Sequence, residues 1–281
     1  MFQYAFYSAM KKHYPQHQFL IDKKVMLPQQ HNGYELDKVF GITLKECRWV
    51  DYIGYIRHIY MSSKFAMPLN LMLYMCRKIR PNTTFYKQED YSVYYPEVFS
   101  RFRDSDAFLK GIWANEKYFE TEREELLGRF RFRQKLDAKN RMLLEEADRT
   151  NSVSIHIRRG DYTQGGNYLL TGEYYQKAME IIRQKVNDPV WFVFSDDIGE
   201  ARRIIDGKAG ESVVFVEENT GGNSWKDLYL MSRCKHNIIA NSSFSFWGAW
   251  LNRSDHKIVI SSATPMSGGM QPFTCKDWIQ I

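Results

Sequence analysis

Two polar clusters in the second half of the 281-residue chain carry side chains that suit an anionic ligand. The first occupies residues 154–162, with the sequence SIHIRRGDY. In a strand, His156 and Arg158 point to the same face, because successive side chains alternate between the two faces. A guanidinium is a planar fork of donors that suits phosphate oxygens, and Gly160 lets the backbone turn close to a ligand. We therefore predict that Arg158 binds phosphate, whereas Arg159 pairs with the carboxylate two positions later.

The second cluster lies at residues 239–250, with the sequence IANSSFSFWGAW, where a strand is expected to give way to a helix. The hydroxyls of Ser242 and Ser243 are typical helix caps. The exposed N–H groups of a helix N-terminus, together with the positive end of the helix dipole, bind anions. A diphosphate fits such a site. The aromatic residues that follow are expected to pack in the core, namely Phe246, Trp247 and Trp250.

Carboxylates near these clusters suggest two further roles. Asp196 and Asp197 resemble acidic pairs that hold a metal ion against phosphates. A second carboxylate cluster for octahedral Mg²⁺ is not apparent, so a helix N-cap is the favoured role, and neither a metal site nor a cofactor is predicted. Asp227 is placed on a helix that begins near the same end of the sheet. Its carboxylate suits the paired N–H donors of guanine, and a solvated surface position is the alternative.

The elements that position these residues alternate regularly from residue 150 onward. This alternation is typical of a doubly wound α/β fold with a parallel sheet. Open sheets of this kind bind ligands at the carboxyl ends of their strands, which is where the polar clusters fall. The predicted strands cover 153–157, 190–194, 212–216, 237–240 and 257–260, and the predicted helices cover 172–185, 198–205, 224–233 and 243–251.

The first half of the chain is less regular. Apolar residues at helical spacing predict a helix over residues 2–13. Residues 25–82 show no sustained period and are predicted to form loops and short helices. The change in pattern predicts two domains, one over residues 1–145 and one over residues 146–281 that binds the anionic ligand.

Composition narrows the classes of function. A net charge of +6 and a pI near 9.0 are compatible with nucleic acid, an anionic membrane surface or a small anionic ligand. No recognised DNA- or RNA-binding motif accompanies the charge, so nucleic acid is not a predicted partner. The longest apolar stretch, 65–76, is far shorter than the ~20 residues that cross a bilayer. No secretory leader is evident, so we expect a cytoplasmic protein, for which peripheral contact with the inner membrane is compatible with the charge. The four cysteines lack zinc-site spacing.

Five segments together resemble the bacterial α-1,2-fucosyltransferases, glycosyltransferase family 11. The resemblance spans nearly the whole chain, and long ordered stretches such as HIRRGDY and NSSFSFWGAWL make chance agreement much less likely than for a short motif. It implies a GT-B type α/β fold, with two Rossmann-like domains facing a central cleft, of which 1–145 is the acceptor-side domain and 146–281 the GDP-fucose-binding domain. It also implies inverting, metal-independent transfer of L-fucose from GDP-fucose to the 2-hydroxyl of a galactoside in a surface glycan. The segments are 1–5, 111–119, 156–162, 194–197 and 241–251.

The resemblance assigns roles to residues of this sequence. His156 neighbours the guanine or the ribose, Arg158 is the main diphosphate ligand, and Asp227 reads the guanine. Asp161 lies near the reacting sugar, where it either orients Arg158 or accepts the proton of the acceptor hydroxyl. Arg158 and Asp161 are therefore the implied catalytic pair. The residues implied to line the phosphates are Ser242, Ser243 and Phe244.

The sequence departs from the family pattern at two places. Related proteins place a strand and a Gly-Gly-Leu-Gly-Asn-Gln turn directly before the MFQYA helix, whereas this sequence begins at Met1. We therefore expect the N-terminal sheet to lack its first strand, and a catalytically impaired nucleotide-sugar-binding protein is the alternative function. Phe246 stands where a Trp is more usual, an aromatic exchange that should mostly preserve packing.

Overall fold

The structure, a computed structural model, describes residues 1–22, 33–48, 51, 83–160, 169–205, 210–266 and 269–281. Most of the segment predicted as loops and short helices, 25–82, lies outside the described residues. In chain order the helices and strands are α1 (Phe2–His13), α2 (Leu36–Phe40), β1 (Thr83–Lys87), β2 (Asp106–Lys110), α3 (Arg123–Arg129), α4 (Ala138–Arg149), β3 (Asn151–Ile157), α5 (Gly172–Arg183), β4 (Pro189–Ser195), α6 (Ile198–Ile204), β5 (Ser212–Val216), α7 (Trp225–Arg233), β6 (His236–Ile238), α8 (Ser243–Leu251), β7 (Val259–Ser261) and β8 (Ile279–Gln280).

The chain forms two compact units. Unit 1 contains Met1–Tyr34 and Ile42–Leu126, and unit 2 contains Glu35–Gly41 and Leu127–Ile281. The functional domains proposed from the sequence, 1–145 and 146–281, stay a prediction. Among the described residues, no helix combines the length and the apolar character needed to cross a membrane.

Unit 1 packs α1 against aromatic residues that follow a parallel pair of strands, β1 and β2. The ring of Phe6 stacks on that of Trp113 with centroids 4.0 Å apart, and Tyr118 meets the same indole edge-on at 5.5 Å. Gln3 Nε2 donates to the carbonyl oxygen of Gly111 at 3.1 Å. The predicted helix over 2–13 is confirmed. Two of the family segments, 1–5 and 111–119, therefore meet in one aromatic core.

Unit 2 contains a six-stranded parallel sheet in the order β5-β4-β3-β6-β7-β8. The chain runs outward from β3 through β4 to β5, and then returns to β6 on the other side of β3. This reversal makes the gap between β3 and β6 a topological switch point, the place where open α/β sheets bind ligands. The α/β prediction is confirmed, and parallel sheets in both units agree with the GT-B type. The central cleft stays a prediction.

Helices cover both faces of this sheet, which is why its central strands are buried along their length. Ile155 and Ile157 of β3 pack with Met179 and Ile182 of α5 in the main core cluster. On the opposite face α7 packs against α4 and α8. A buried amide, Asn237 Nδ2, donates to Ser154 Oγ at 2.7 Å and to Met231 O at 2.9 Å, so polar groups between β3, β6 and α7 are satisfied.

The short helix α2 is held by unit 2 although it lies far earlier in the sequence. Phe40 contacts the rings of Phe130 and Phe132, with centroids 5.2 and 5.1 Å away. Phe132 in turn stacks on Tyr229 of α7 at 4.6 Å. The backbone N–H of Arg133 donates to Val39 O at 2.9 Å. Hydrogen bonds and an aromatic cluster therefore attach residues 35–41 to this unit.

The five strands and four helices predicted from residue 150 onward are all present in the predicted order, and their ends lie within about two residues of the predicted ones, the usual scatter of such boundaries. The short strand β8 and the helix α4 were not predicted, and the predicted domain boundary between residues 145 and 146 falls inside α4. Its residues are mostly exposed, and only Asn140 and Ala147 are buried. A helix with so narrow an apolar face gives a weak periodic signal.

Candidate functional site

The two polar clusters lie on either side of the switch point. Arg158 is the first residue after β3, and Ser242 is the N-cap of α8, which follows β6. Since β3 and β6 are neighbours in the sheet, the two strand ends are adjacent. The rings of His156 and Phe244 lie 5.6 Å apart, centroid to centroid. The structure thus brings one residue of each cluster into contact.

A carboxylate fixes the backbone and the guanidinium at the end of β3. Arg158 Nη1 lies 3.0 Å from Asp196 Oδ2, and both side chains are about three-quarters buried. Asp196 Oδ1 accepts the backbone N–H of Arg159 at 2.8 Å. The strand register explains the meeting, because Ile157 pairs with Ser195, the last residue of β4. Asp196 therefore holds Arg158 in place before any ligand arrives. This ion pair was not predicted from the sequence.

Gly160 lies so close to Asp196 that a larger residue would displace it. A Cβ atom at Gly160 would lie 2.6 Å from Asp196 Oδ2, well inside van der Waals contact. The glycine is thus needed for close approach. Arg159 Nη2 donates to Leu170 O at 3.0 Å. Asp161, the predicted partner of Arg159 and the second implied catalytic residue, lies outside the described residues, so both of its roles stay predictions.

The second carboxylate of this cluster is a helix cap. Asp197 is the N-cap of α6, and its Oδ1 accepts the backbone N–H of Glu200 at 2.9 Å. The predicted N-cap is therefore confirmed at Asp197, whereas Asp196 binds arginine. Within the described ranges, no group of three or more His, Cys, Asp and Glu residues is placed to hold a metal ion. The metal independence of the reaction stays a prediction.

The start of α8 has the features of an anion site. Ser242 is buried and its Oγ accepts the backbone N–H of Phe244 at 3.3 Å, which fixes the first turn. Ser243, the first helical residue, is exposed. The nine-residue helix directs its N–H groups and the positive end of its dipole toward the switch point. The aromatic residues predicted to pack are buried, as expected, and they are Phe246, Trp247 and Trp250.

His156 presents a neutral imidazole at this site. Its side chain is 4% exposed, and Nδ1 makes no hydrogen bond with any described residue. Burial, and then the positive charge of Arg158, lower the pKa of His156 to about 3. A buried ring nitrogen without a partner is costly unless a ligand supplies one. The imidazole is therefore suited to a hydrogen bond with a neutral hydroxyl or with a base.

Asp227 lies in the first turn of α7, which follows the carboxyl end of β5. Burial raises the pKa of its carboxyl to about 7, and the hydrogen bond from Asn219 opposes that rise. Asn219 Nδ2 donates to Asp227 Oδ1 at 2.7 Å. Asn219 was not predicted from the sequence, because an asparagine in a loop has no motif around it. Asp227 is thus hydrogen-bonded to Asn219 rather than to His156 or Arg158.

The fold is that of an open α/β protein, with an arginine and a helix N-terminus at the switch point of its parallel sheet. The sequence comparisons give the family. The family model described as "Glycosyl transferase family 11" matches residues 1–281. The chain therefore belongs to glycosyltransferase family 11, as the resemblance implied.

Three relatives illustrate the likeness. A protein of Escherichia coli named alpha-1,2-colitosyltransferase is 36% identical over 245 residues, which cover 82% of this chain and 76% of that protein. The O-antigen biosynthesis glycosyltransferase WbnK of Escherichia coli is 38% identical over 141 residues, 48% of this chain and 46% of that protein. Galactoside alpha-(1,2)-fucosyltransferase 1 of Aotus nancymaae is 29% identical over 182 residues, 60% and 50% of the respective chains. The match thus spans about half the length of the last two proteins.

Proposed function

We propose that this chain transfers L-fucose from GDP-fucose to the 2-hydroxyl of a galactoside in a surface glycan, with inversion and without a metal ion. Membership of glycosyltransferase family 11 supports the reaction class. The names of the relatives support an α-1,2 linkage and a role in making surface glycans. Because one relative is named for colitose, a nucleotide-activated colitose is the second candidate donor.

The observation that carries the proposal is the pair of groups that flank the switch point. Arg158 supplies a guanidinium at the end of β3, and the start of α8 supplies backbone N–H groups and a helix dipole after β6. Both attract the negative charge of a diphosphate. The nucleotide therefore binds with its diphosphate between them, and the sugar lies beyond it.

The chemistry follows from where charge develops. As the bond between the anomeric carbon and GDP breaks, the sugar gains oxocarbenium character and negative charge grows on the departing diphosphate. Arg158 and the N–H groups of α8 stabilise that charge, and groups already oriented lose little energy in reorganising. Asp196 supplies this orientation for Arg158 through the 3.0 Å ion pair. Stabilisation of the leaving group is thus the main catalytic effect.

Different residues are assigned to the guanine of the donor and to the proton of the acceptor hydroxyl. Asp227 accepts the two N–H groups on the edge of guanine, and the neutral imidazole of His156 bonds the base or ribose. We assign Asp161 one of two roles toward the reacting sugar: it orients Arg158, or it accepts the proton of the attacking hydroxyl. Asp161→Asn separates these two roles. If the variant loses transfer but still binds GDP, Asp161 is the general base. If it loses both transfer and GDP binding, Asp161 orients Arg158.

The central test replaces Arg158 by alanine. We expect kcat/KM with GDP-fucose and a galactoside to fall by about 100-fold or more, because a donor to developing negative charge is removed. Arg202→Ala is the matched control. That arginine is also ion-paired, to Glu217 at 2.6 Å, but it is half exposed. Activity of the Arg202 variant should remain near that of the parent.

Three outcomes would contradict parts of the proposal. Near-normal turnover and GDP affinity in Arg158→Ala would remove the assigned role of this residue. Binding of GDP-fucose without product would favour the nucleotide-sugar-binding protein instead. A thermal-shift panel of GDP, UDP, ADP and CMP tests the base, since the nucleotide that binds the native state tightest raises the melting temperature most. A larger shift with any nucleotide other than GDP would contradict the donor assignment.

A further inference from the structure

Five polar side chains form a continuous hydrogen-bonded chain, here called the amide relay, across three segments of unit 2. The relay runs from α7 to α4, then to the segment after β5, and back to α7. Lys226 Nζ donates to Asp137 Oδ2 at 2.8 Å, and Asp137 in turn accepts from Asn140 Nδ2 at 2.9 Å. Asn140 and Asn219 bond each other, and Asn219 donates to Asp227. The carboxylate assigned to guanine therefore stands at the end of a fixed network.

The orientation of each amide in the relay is determined by its partners. Asn140 is 4% exposed, and its Nδ2 lies 3.1 and 2.9 Å from the two carboxylate oxygens of Asp137, so its Oδ1 faces Asn219. Asn219 Nδ2 donates to that oxygen at 2.7 Å, while Asn219 Oδ1 accepts from Asn140 Nδ2 at 3.1 Å. The amino group of Asn219 must therefore point toward Asp227, because a carboxylate oxygen only accepts when ionised.

The relay also favours the charged form of Asp227. Its donor, Asn219 Nδ2, and the positive charge of Lys226 both oppose the effect of burial on the carboxyl pKa. The other charged groups nearby are already paired. Asp137 binds Lys226, whose ammonium is the main cause of the low pKa of that carboxyl. On the exposed side of this region, Glu218 is ion-paired with Lys139 at 2.9 Å.

We propose that Asn219 is a positioning residue that holds Asp227 aligned and ionised for guanine, and so sets the preference for a base with both an N1–H and a 2-amino group. The proposal rests on the proposed function, which assigns Asp227 to the base. With Asn219 fixed on Oδ1, the carboxylate cannot rotate freely, and its oxygens meet the two donors of guanine together. Hypoxanthine lacks the amino group, and adenine presents an acceptor at N1. A site built for a hydrogen bond rejects an analogue that lacks it.

The experiment measures dissociation constants of GDP and IDP for the full chain by calorimetry between about pH 6 and 8.5. Asn219→Leu keeps the approximate size and removes the donor. We expect GDP to bind roughly tenfold more weakly at pH 7, the scale of one hydrogen bond to a charged group. The loss should shrink toward pH 8.5, since the carboxylate ionises there without help. The preference for GDP over IDP should fall as well.

Two further variants make the result decisive. Asn140→Ala interrupts the relay one step away from Asp227 and should shift the pH profile of GDP binding in the same direction by a smaller amount. This variant still tests the relay if Asn219→Leu fails to fold. Asn237→Ala is the matched control, because it removes a buried amide of unit 2 outside the relay. It should lower stability without changing the pH profile or the ratio of GDP to IDP affinity.

The outcomes separate this inference from the proposed function. An unchanged GDP-to-IDP ratio and pH profile in both Asn219→Leu and Asn140→Ala would overturn the role of the relay. If Asp227→Asn still lost GDP binding in that case, the guanine assignment would stand. If Asp227→Asn bound GDP normally, that assignment itself would be wrong, and the relay with it.

Discussion

Replacing Asp227 by asparagine should stabilise the protein relative to the parent. This gain should be large at neutral pH and small at acid pH. The reason is the buried carboxyl, whose pKa rises from 3.8 to about 7 in the folded chain, chiefly through burial. The amide is nearly the same shape and still offers an oxygen to Asn219 Nδ2, 2.7 Å away. The substitution therefore removes the titration while keeping the acceptor of the hydrogen bond.

The sign follows from proton binding. Between about pH 4 and pH 7 the folded chain keeps the proton on Asp227 and the unfolded chain releases it, so rising pH favours unfolding. A pKa displacement of this size corresponds to about 4 kcal/mol of unfolding free energy. The unfolding free energy of Asp227→Asn should exceed that of the parent by under about 1 kcal/mol near pH 4, apart from an offset that does not change with pH. The difference should grow to about 4 kcal/mol near pH 8 and stay constant above that.

Urea denaturation at several pH values between about 4 and 8 measures this difference. The slope with pH is the test, because the added amino group of the amide contributes an offset that does not change with pH. Asp148→Asn is the control, since that carboxylate is 44% exposed in an ion pair with Arg233. A difference for Asp227→Asn that stayed flat across this range would refute the reasoning. It would mean that the buried carboxylate is ionised at little cost.

Three other substitutions test the packing around the site. Gly160→Ala should weaken GDP binding by about tenfold or more, since its Cβ would push Asp196 away, whereas Gly172→Ala meets open space and should bind GDP normally in the same calorimetric assay. Asn237→Ala should lower the unfolding free energy by roughly 2–3 kcal/mol in urea, because it leaves buried partners unsatisfied. Lys257→Met should lower the melting temperature by a few degrees, since the ammonium bonds the last carbonyls of α8, and Lys257→Arg should restore part of the loss.

The strands of unit 2 were predictable because each is a run of apolar residues that are adjacent in the sequence. Val153, Ile155 and Ile157 are all buried, and runs of this kind, separated by amphipathic helices, indicate a parallel sheet. The helix α4 was not predictable in the same way, since Met142 is 70% exposed and the helix is anchored largely by a polar residue, Asn140. The position of α4 depends on contacts with segments that are distant in the sequence, and a periodic pattern does not indicate such contacts.

In the candidate site, too, residues in local motifs were predictable and their distant partners were not. The positions of Arg158 and Ser242 at strand ends were predictable. Each residue closely follows a strand in the sequence, and all strands of a parallel sheet end at the same edge. The partners that orient them were not predictable. Asp196 is 37 positions from the N–H it binds, and Asn219 is 79 positions from Asn140. Side-chain pairs across such separations are set by the folded chain, and a single sequence carries no local sign of them.

The attachment of residues 35–41 to unit 2 has a consequence for anyone who exchanges parts between relatives to alter donor or acceptor preference. The chain passes between the units at three places, near residues 34, 41 and 126. A chimera joined at a single crossover near residue 127 would combine Phe40 of one parent with Phe130 and Phe132 of the other. Grafts that carry 35–41 along with 127–281 keep that aromatic cluster from one source and should express as folded protein more often.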